Sequence, residues 1–226
     1  LTPHPAPVAP LADQSGQRNE WGVGFKVAKW LNSLGISAFV LKYRNPIDSS
    51  CFINKELVAL EDAQQALMLV RSKAAELAIN PQNVGMMGFS AGGHLTSTVA
   101  THFGNNPTLR PDFIILGYPV ISFQDSLMHK GSRENMLGKN AMKEKIDLYS
   151  NELQVTANTP PAFIMHAADD KTVKVQNSIL FYLAFVPQFF EIALLTKIDV
   201  LIIALMAAST AFLGNMVWGG FALIAA

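Results

Sequence analysis

The sequence predicts an α/β fold, a mostly parallel sheet with helices on both faces. Three observations carry that expectation. Short, nearly all-apolar runs at residues 84–88, 113–118 and 162–167 alternate with longer segments of helical periodicity. Strands buried on both faces read as such runs, whereas half-exposed strands alternate polar and apolar residues. The run at 84–88 stops at Gly88-Phe89-Ser90-Ala91-Gly92, a G-x-S-x-G pattern followed by residues that can continue as a helix. Ser90 and Asp170 both follow the ends of such runs, where parallel sheets gather their functional groups.

The elements follow in order. Residues 1–20 are rich in Pro, Gln and Ser without periodicity, and they read as a loose N-terminal segment. From Phe25, Val27, Trp30, Leu31 and Leu34 recur at helical spacing, with Gly35 placed as a C-terminal cap. Residues 36–43 read as a strand, and a polar loop bearing Cys51 comes next. Residues 57–78 give the best helix, with Leu60, Ala63, Leu67, Val70, Ala74 and Leu77 on one stripe. After the strand at 84–88, a helix is expected from Ala91 to about residue 103. Residues 122–159 are mixed and polar, with one short helical pattern at 142–149.

A chain of 226 residues fits one domain, with or without an appendage. Its 50% hydrophobic content suffices for a large core, while 15% charged residues falls below the usual ~25%. Net charge is zero and no basic run stands out, so a nucleic-acid partner is not expected. Cys51 is the single cysteine, which excludes an internal disulfide. No basic segment leads into an apolar one at the start, so no secretory signal is visible.

The G-x-S-x-G pattern has a chemical rationale. A sharp strand-to-helix turn strains the nucleophile's backbone and lifts its oxygen out of the sheet. Gly88 and Gly92 lack Cβ atoms, which lets neighbouring backbone pass close to the turn. The Ala91 N–H, at the start of the helix, is aimed where an oxyanion would develop. Asp169 and Asp170 by themselves read more readily as a solvated loop or a helix cap than as a catalytic acid.

With these motifs in place, the chain resembles the α/β-hydrolase superfamily, and within it the bacterial acetylxylan- and feruloyl-esterase-like group. The resemblance rests on VAKWLNSLGISAFVLKYR at 27–44, LEDAQQALMLVRSKAAELAINPQNVGMMGFSAGGHL at 60–95 and RPDFIILGYPVIS at 110–122. HKGSRENMLG at 129–138 and TPPAFIMHAADDKTVKVQNS at 159–178 extend it. It implies an α/β-hydrolase-type sheet and a serine carboxylic-ester hydrolase acting on a small-molecule or glycan ester, with no metal and no cofactor. By the resemblance, Ser90 is the nucleophile and Ala91 gives half of the oxyanion hole. Asp170 is the triad acid, since the family places that acid three residues before a Val, here Val173.

Two parts of the family pattern are missing. The triad runs Ser, Asp, His along the chain, yet no His follows Asp170. Of His4, His94, His102, His129 and His166, packing is the expected role of His94, the surface the expected place of His102, and a core strand that of His166. His129, in a polar loop, is the surrogate-base candidate. The glycine-rich oxyanion loop is also missing, with Gly22 and Gly24 the only upstream candidates for it. An impaired esterase is therefore expected. A catalytically silent, membrane-anchored glycan- or partner-binding domain and a serine peptidase of the same fold are the alternatives.

Residues 200–226 hold no charged side chain. At ~1.5 Å per residue one helix of that length could cross a ~30 Å hydrocarbon core. Trp218 would then sit at an interface. A docked apolar helix and a foreign join are the other readings. Lys171, Lys174 and Lys197 precede the run, which would leave the hydrolase part cytoplasmic. The expected division is a loose segment at 1–20, a partial hydrolase domain at 21–185 and a hydrophobic tail at 186–226.

Overall fold

The computed structural model describes residues 22–45, 54–196 and 221–225. Residues 1–20, expected to be a loose segment, lie outside the described residues, as do Cys51, Trp218 and His4. The order is α1 (Gly22–Ser33), β1 (Ser37–Phe39), α2 (Lys55–Ser72), α3 (Ala74–Leu77), β2 (Val84–Phe89) and α4 (Ala91–Thr101). It continues with β3 (Ile114–Gly117), α5 (Lys130–Leu137), α6 (Lys143–Leu148), β4 (Ala162–Met165), α7 (Gln176–Thr196) and β5 (Phe221–Ala225).

The five strands form one sheet in the order β1-β5-β2-β3-β4. β2, β3 and β4 are parallel, with Phe89, Gly117 and Met165 in one row at their carboxyl ends. β5 lies between β1 and β2 and is antiparallel to both.

One face of the sheet packs on α1 through Ala28, Leu31, Ala38, Met87 and Phe89. The other packs on α2, α4 and α7 through Leu60, Ala63, Leu67, Val70, Val84, Met86, Leu95, Val99, Ile114, Leu116, Phe181 and Phe185. Helices on both faces and an apolar β2 buried throughout are what the sequence predicts. Most of the expected stripe is also seen, since Leu60, Ala63, Leu67 and Val70 of α2 and Ala74 of α3 are buried, while Leu77 is only partly so.

Four expectations need correction. In α1 the buried positions are Gly24, Ala28 and Leu31, while Trp30 is 56% exposed and Leu34, just past the helix, 57%. The helix meets the sheet through Ala28 and Leu31, which leaves Trp30 and Leu34 facing outward. Gly35 does end α1, at φ +79°, with Ile36 N–H donating to Leu31 O at 3.0 Å. The second correction is α5, a helix in a stretch expected to be irregular; it buries none of its residues.

The third concerns residues 200–226 as one membrane-crossing helix. Residues 221–225 are a sheet strand, and they pair the backbone groups of β1 and β2 that would otherwise face each other unbonded. Among the described residues no helix is long and apolar enough to cross a membrane. The rest of the run lies outside them. Fourth, the single helix expected over 57–78 is broken at Lys73 into α2 and α3.

Candidate active site

The site is built on the row after Phe89, Gly117 and Met165, so Ser90, Tyr118 and His166 follow at the tips of three adjacent strands. Parallel neighbours lie ~4.8 Å apart, which puts the β2 and β4 tips about 10 Å from each other.

Ser90 links β2 to α4 with φ 51° and ψ −123°. A side chain at that backbone geometry is strained by about 1–3 kcal/mol. Its neighbours hold it there. Ser90 N–H donates to Gly117 O at 3.1 Å, and Ser90 O accepts from Val120 N–H at 3.1 Å and from His94 N–H at 3.2 Å. Two of the three bonds come from the tip of β3, so the elbow is clamped by its neighbouring strand as well as by its own helix.

The glycines explain how the backbone can fold so tightly. A Cβ on Gly88 would run into the Gly92 carbonyl and the Thr96 Oγ1. A Cβ on Gly93 would stand 2.8 Å from Pro119 Cα. Gly93 is thus a third required glycine, and only the tertiary contact with Pro119 reveals it. Ser90 is half-buried and Ala91 exposed. Neither the Ser90 hydroxyl nor the Ala91 N–H has a hydrogen-bond partner among the described residues. A hydroxyl at a strained turn, beside an open N–H at a helix start, is suited to attack a carbonyl and hold the oxyanion that forms.

Across the β3 tip, Asp170 closes a tight loop after β4. Its Oδ1 accepts from Thr172 N–H at 2.8 Å and Val173 N–H at 2.9 Å. Its Oδ2 lies 3.6 Å from His166 Nε2. Asp169, by contrast, is exposed. The two adjacent acids thus differ in exposure and in hydrogen bonding.

Tyr118 stands between the two loops at φ 36°, an uncommon conformation for an aromatic residue. Its ring lies against Phe89, 5.9 Å between centroids. Burial raises its phenol above the usual tyrosine range, and the Asp170 charge adds to that. Replacing Asp170 with Asn is therefore expected to lower the Tyr118 ionisation midpoint, though not to the ordinary value, because burial is the larger cause. Absorbance at 295 nm against pH, referenced to Tyr118→Phe, reads this. An unmoved midpoint would mean the two side chains do not sense each other.

The four described histidines are committed elsewhere. His94 is fully buried, bonded through Nε2 to Tyr149 O at 2.9 Å and stacked on Phe123. Packing is its role, as expected. His102 is half-buried rather than free at the surface: it stacks on Tyr149 and bonds Leu148 O at 3.0 Å through Nε2. His166 follows β4, with Nε2 on Val173 O at 2.8 Å and Nδ1 on Ser178 Oγ at 2.8 Å. His129 caps α5, its Nδ1 accepting from Ser132 N–H at 3.3 Å. That acceptor role leaves the proton of the neutral ring on Nε2, where a general base would need a lone pair. No hydrogen bond joins His129 to Ser90 or Asp170 among the described residues.

His94 carries a pH dependence of its own. Full burial pushes its imidazole down from 6.5 to about 4, the bond to Tyr149 O resisting and His102 adding slightly. In the unfolded chain the ring titrates near 6.5. Between about pH 6.5 and 4 the unfolded state therefore holds a proton that the folded state refuses. Stability should be intact above this window and fall by about 3 kcal/mol as pH drops through it. Urea midpoints from pH 7.5 to 4.5 would show the fall, and His94→Gln should flatten it. An equally steep fall in the variant would place the cause elsewhere.

Among the described residues no three His, Cys, Asp or Glu side chains cluster closely enough to hold a metal ion.

Residues 56–185, more than half of the chain, match the BD-FAE family. The chain is 41% identical over 165 residues to an acetylxylan esterase of Xylanibacter ruminicola, covering 71% of this chain and 33% of that protein. It is 39% identical over 156 residues to endo-1,4-beta-xylanase B of Butyrivibrio fibrisolvens, covering 65% of this chain and 24% of that one. The chain thus spans a third or less of these curated relatives. Among solved structures it resembles an acetyl ester-xyloside bifunctional hydrolase from Caldicellulosiruptor lactoaceticus, with TM-score 0.62 and 42% identity. That likeness covers 71% of this chain and 60% of the other. A carboxylesterase of Lactobacillus plantarum, at TM-score 0.58 and 23% identity, covers 73% of this chain and 61% of its own, and shares the fold.

Proposed function

Because the chain belongs to the BD-FAE family, we propose that it carries the acyl-transfer core of a carbohydrate ester hydrolase acting on acetylated or feruloylated sugars. Ser90 is the nucleophile, the Ala91 N–H one oxyanion donor and Asp170 the acid that orients a base. The observation that carries this reading is Ser90 itself. Its backbone is held at φ 51° by hydrogen bonds from the β3 tip and its own helix. Strain of that kind persists where the surroundings enforce it, and it gathers at reactive residues.

In the scheme, Ser90 Oγ attacks the ester carbonyl as its proton passes to a base. The oxyanion collapses to an acyl-enzyme with loss of the sugar alcohol, and water then releases the acyl group. His94, His102 and His166 hold both ring nitrogens in hydrogen bonds, and the His129 cap keeps a proton on the remaining one. None of the described histidines is placed to take the serine's proton, so turnover by this chain is expected to be slow. The same nucleophile would serve a peptide bond, but the similarity to an acetylxylan esterase and an acetyl ester hydrolase favours esters.

The test is covalent labelling by a fluorophosphonate, with the modified peptide identified by mass spectrometry. A phosphonylated Ser90 supports the proposal. Folded protein that stays unlabelled at Ser90 after prolonged exposure removes its basis.

A further inference from the structure

The Asp170 loop is closed by a side chain to which the reaction scheme gives no part. His166 is almost wholly buried, its side chain 3% exposed against 20% for Asp170. Both ring nitrogens have fixed partners on different elements. Nε2 bonds the Val173 carbonyl at 2.8 Å and Nδ1 the Ser178 hydroxyl of α7 at 2.8 Å. A carbonyl can only accept, so Nε2 carries a hydrogen. In the neutral ring Nδ1 then accepts from the Ser178 hydroxyl, which fixes the tautomer. The same Nε2–H leans toward Asp170 Oδ2 at 3.6 Å, too long for a hydrogen bond but within electrostatic reach.

The loop is held at its far end as well. Val173 is buried beside Val120, Phe123 and Tyr149. The carboxylate is therefore held by two backbone N–H groups on Oδ1, with the imidazole edge standing beside Oδ2.

We propose that His166 is a positioning residue for Asp170: its buried imidazole, braced by Ser178 and bonded to Val173, ties the ends of the loop together and sets the direction of the carboxylate. The inference rests on Asp170 being the acid of the site, and it acts through that residue alone. A core histidine chosen only for volume would not need two partners on opposite sides, nor face a carboxylate.

The test compares His166→Leu, His166→Gln and Ser178→Ala with the parent chain. Amide hydrogen exchange at Thr172 and Val173 and the 13C chemical shift of the Asp170 carboxyl are followed, with melting curves as a check on the fold. Loss of the clamp should speed exchange at those two amides about tenfold in His166→Leu and displace the Asp170 resonance. In His166→Gln the amide N–H can still reach the Val173 carbonyl, so most of the protection should return. Ser178→Ala frees the ring without removing it, and it should loosen the loop partway. Should His166→Leu fail to fold, the Ser178→Ala and Gln results decide.

Parent-like exchange and an unmoved Asp170 resonance in the folded variants would overturn the proposal. Its failure is distinct from failure of the acid assignment. Unchanged ester turnover in Asp170→Asn would remove Asp170 from the chemistry while leaving the clamp measurements intact.

Discussion

Ser90→Gly is expected to abolish ester turnover while raising stability by about 1 kcal/mol. The two effects share one cause. At φ 51° and ψ −123° a serine bears Cβ strain that glycine does not feel. Glycine loses more backbone entropy on folding, which returns part of the relief and leaves the net near 1 kcal/mol. For a chain of this size that is a rise in melting temperature of roughly 2–4 °C. Ser90→Ala removes the same hydroxyl but keeps the strain, so it should lose turnover without the rise. Differential scanning calorimetry beside an ester assay checks the pair. A Gly variant no more stable than the Ala variant would show that the elbow stores no strain.

Gly88→Ala is expected to cost about 3 kcal/mol or more. Core overpacking usually costs about 1–3 kcal/mol, because side chains can give way. Here the new methyl meets the Gly92 carbonyl, which belongs to the first turn of α4 and cannot move without the elbow. Gly85→Ala is the control, since the three atoms nearest its Cβ all belong to the Phe113 ring, the far end of a side chain that can turn away. The expected order of urea midpoints is parent, then Gly85→Ala, then Gly88→Ala, the last with turnover lost in proportion to the displaced serine. Equal losses in the two variants would mean the turn is not held by backbone contact.

How much of this was legible in the sequence depends on the range of each interaction. The strand 84–89, the turn at Ser90 and the helix after it are adjacent in the chain, and their signals, an apolar run and two glycines, are local. The stripe of α2 is periodic and equally plain. The buried face of α1 is only partly legible: Leu31 is buried as expected, but Trp30 and Leu34 carry most of the hydrophobicity and stand exposed, while Ala28, a weak signal, makes the contact. α5 has no apolar stripe to announce it. Its start is marked by the His129 side chain capping Ser132 N–H, an unusual cap in place of the common Ser, Thr, Asp or Asn.

β5 shows the limit of local reading. Its five residues end a long uncharged run, and nothing in them says that their partners are Ser37–Phe39 and Val84–Gly88. A strand's place in a sheet is set by distant segments, whereas a helix carries its hydrogen bonds within itself. The same holds for the site. Ser90 and Asp170 could be picked out singly, but the Pro119 and Val120 buttress of the elbow, Tyr118 between the two loops and His166 behind the acid exist only once β2, β3 and β4 lie side by side.

Whether Ser90 is a nucleophile in an acyl-transfer site is tested by p-nitrophenyl acetate hydrolysis by the parent chain and Ser90→Ala. Slow turnover is expected, with a p-nitrophenol burst of up to one equivalent if deacylation limits, and both lost in Ser90→Ala. Identical rates in the two folded proteins would contradict it.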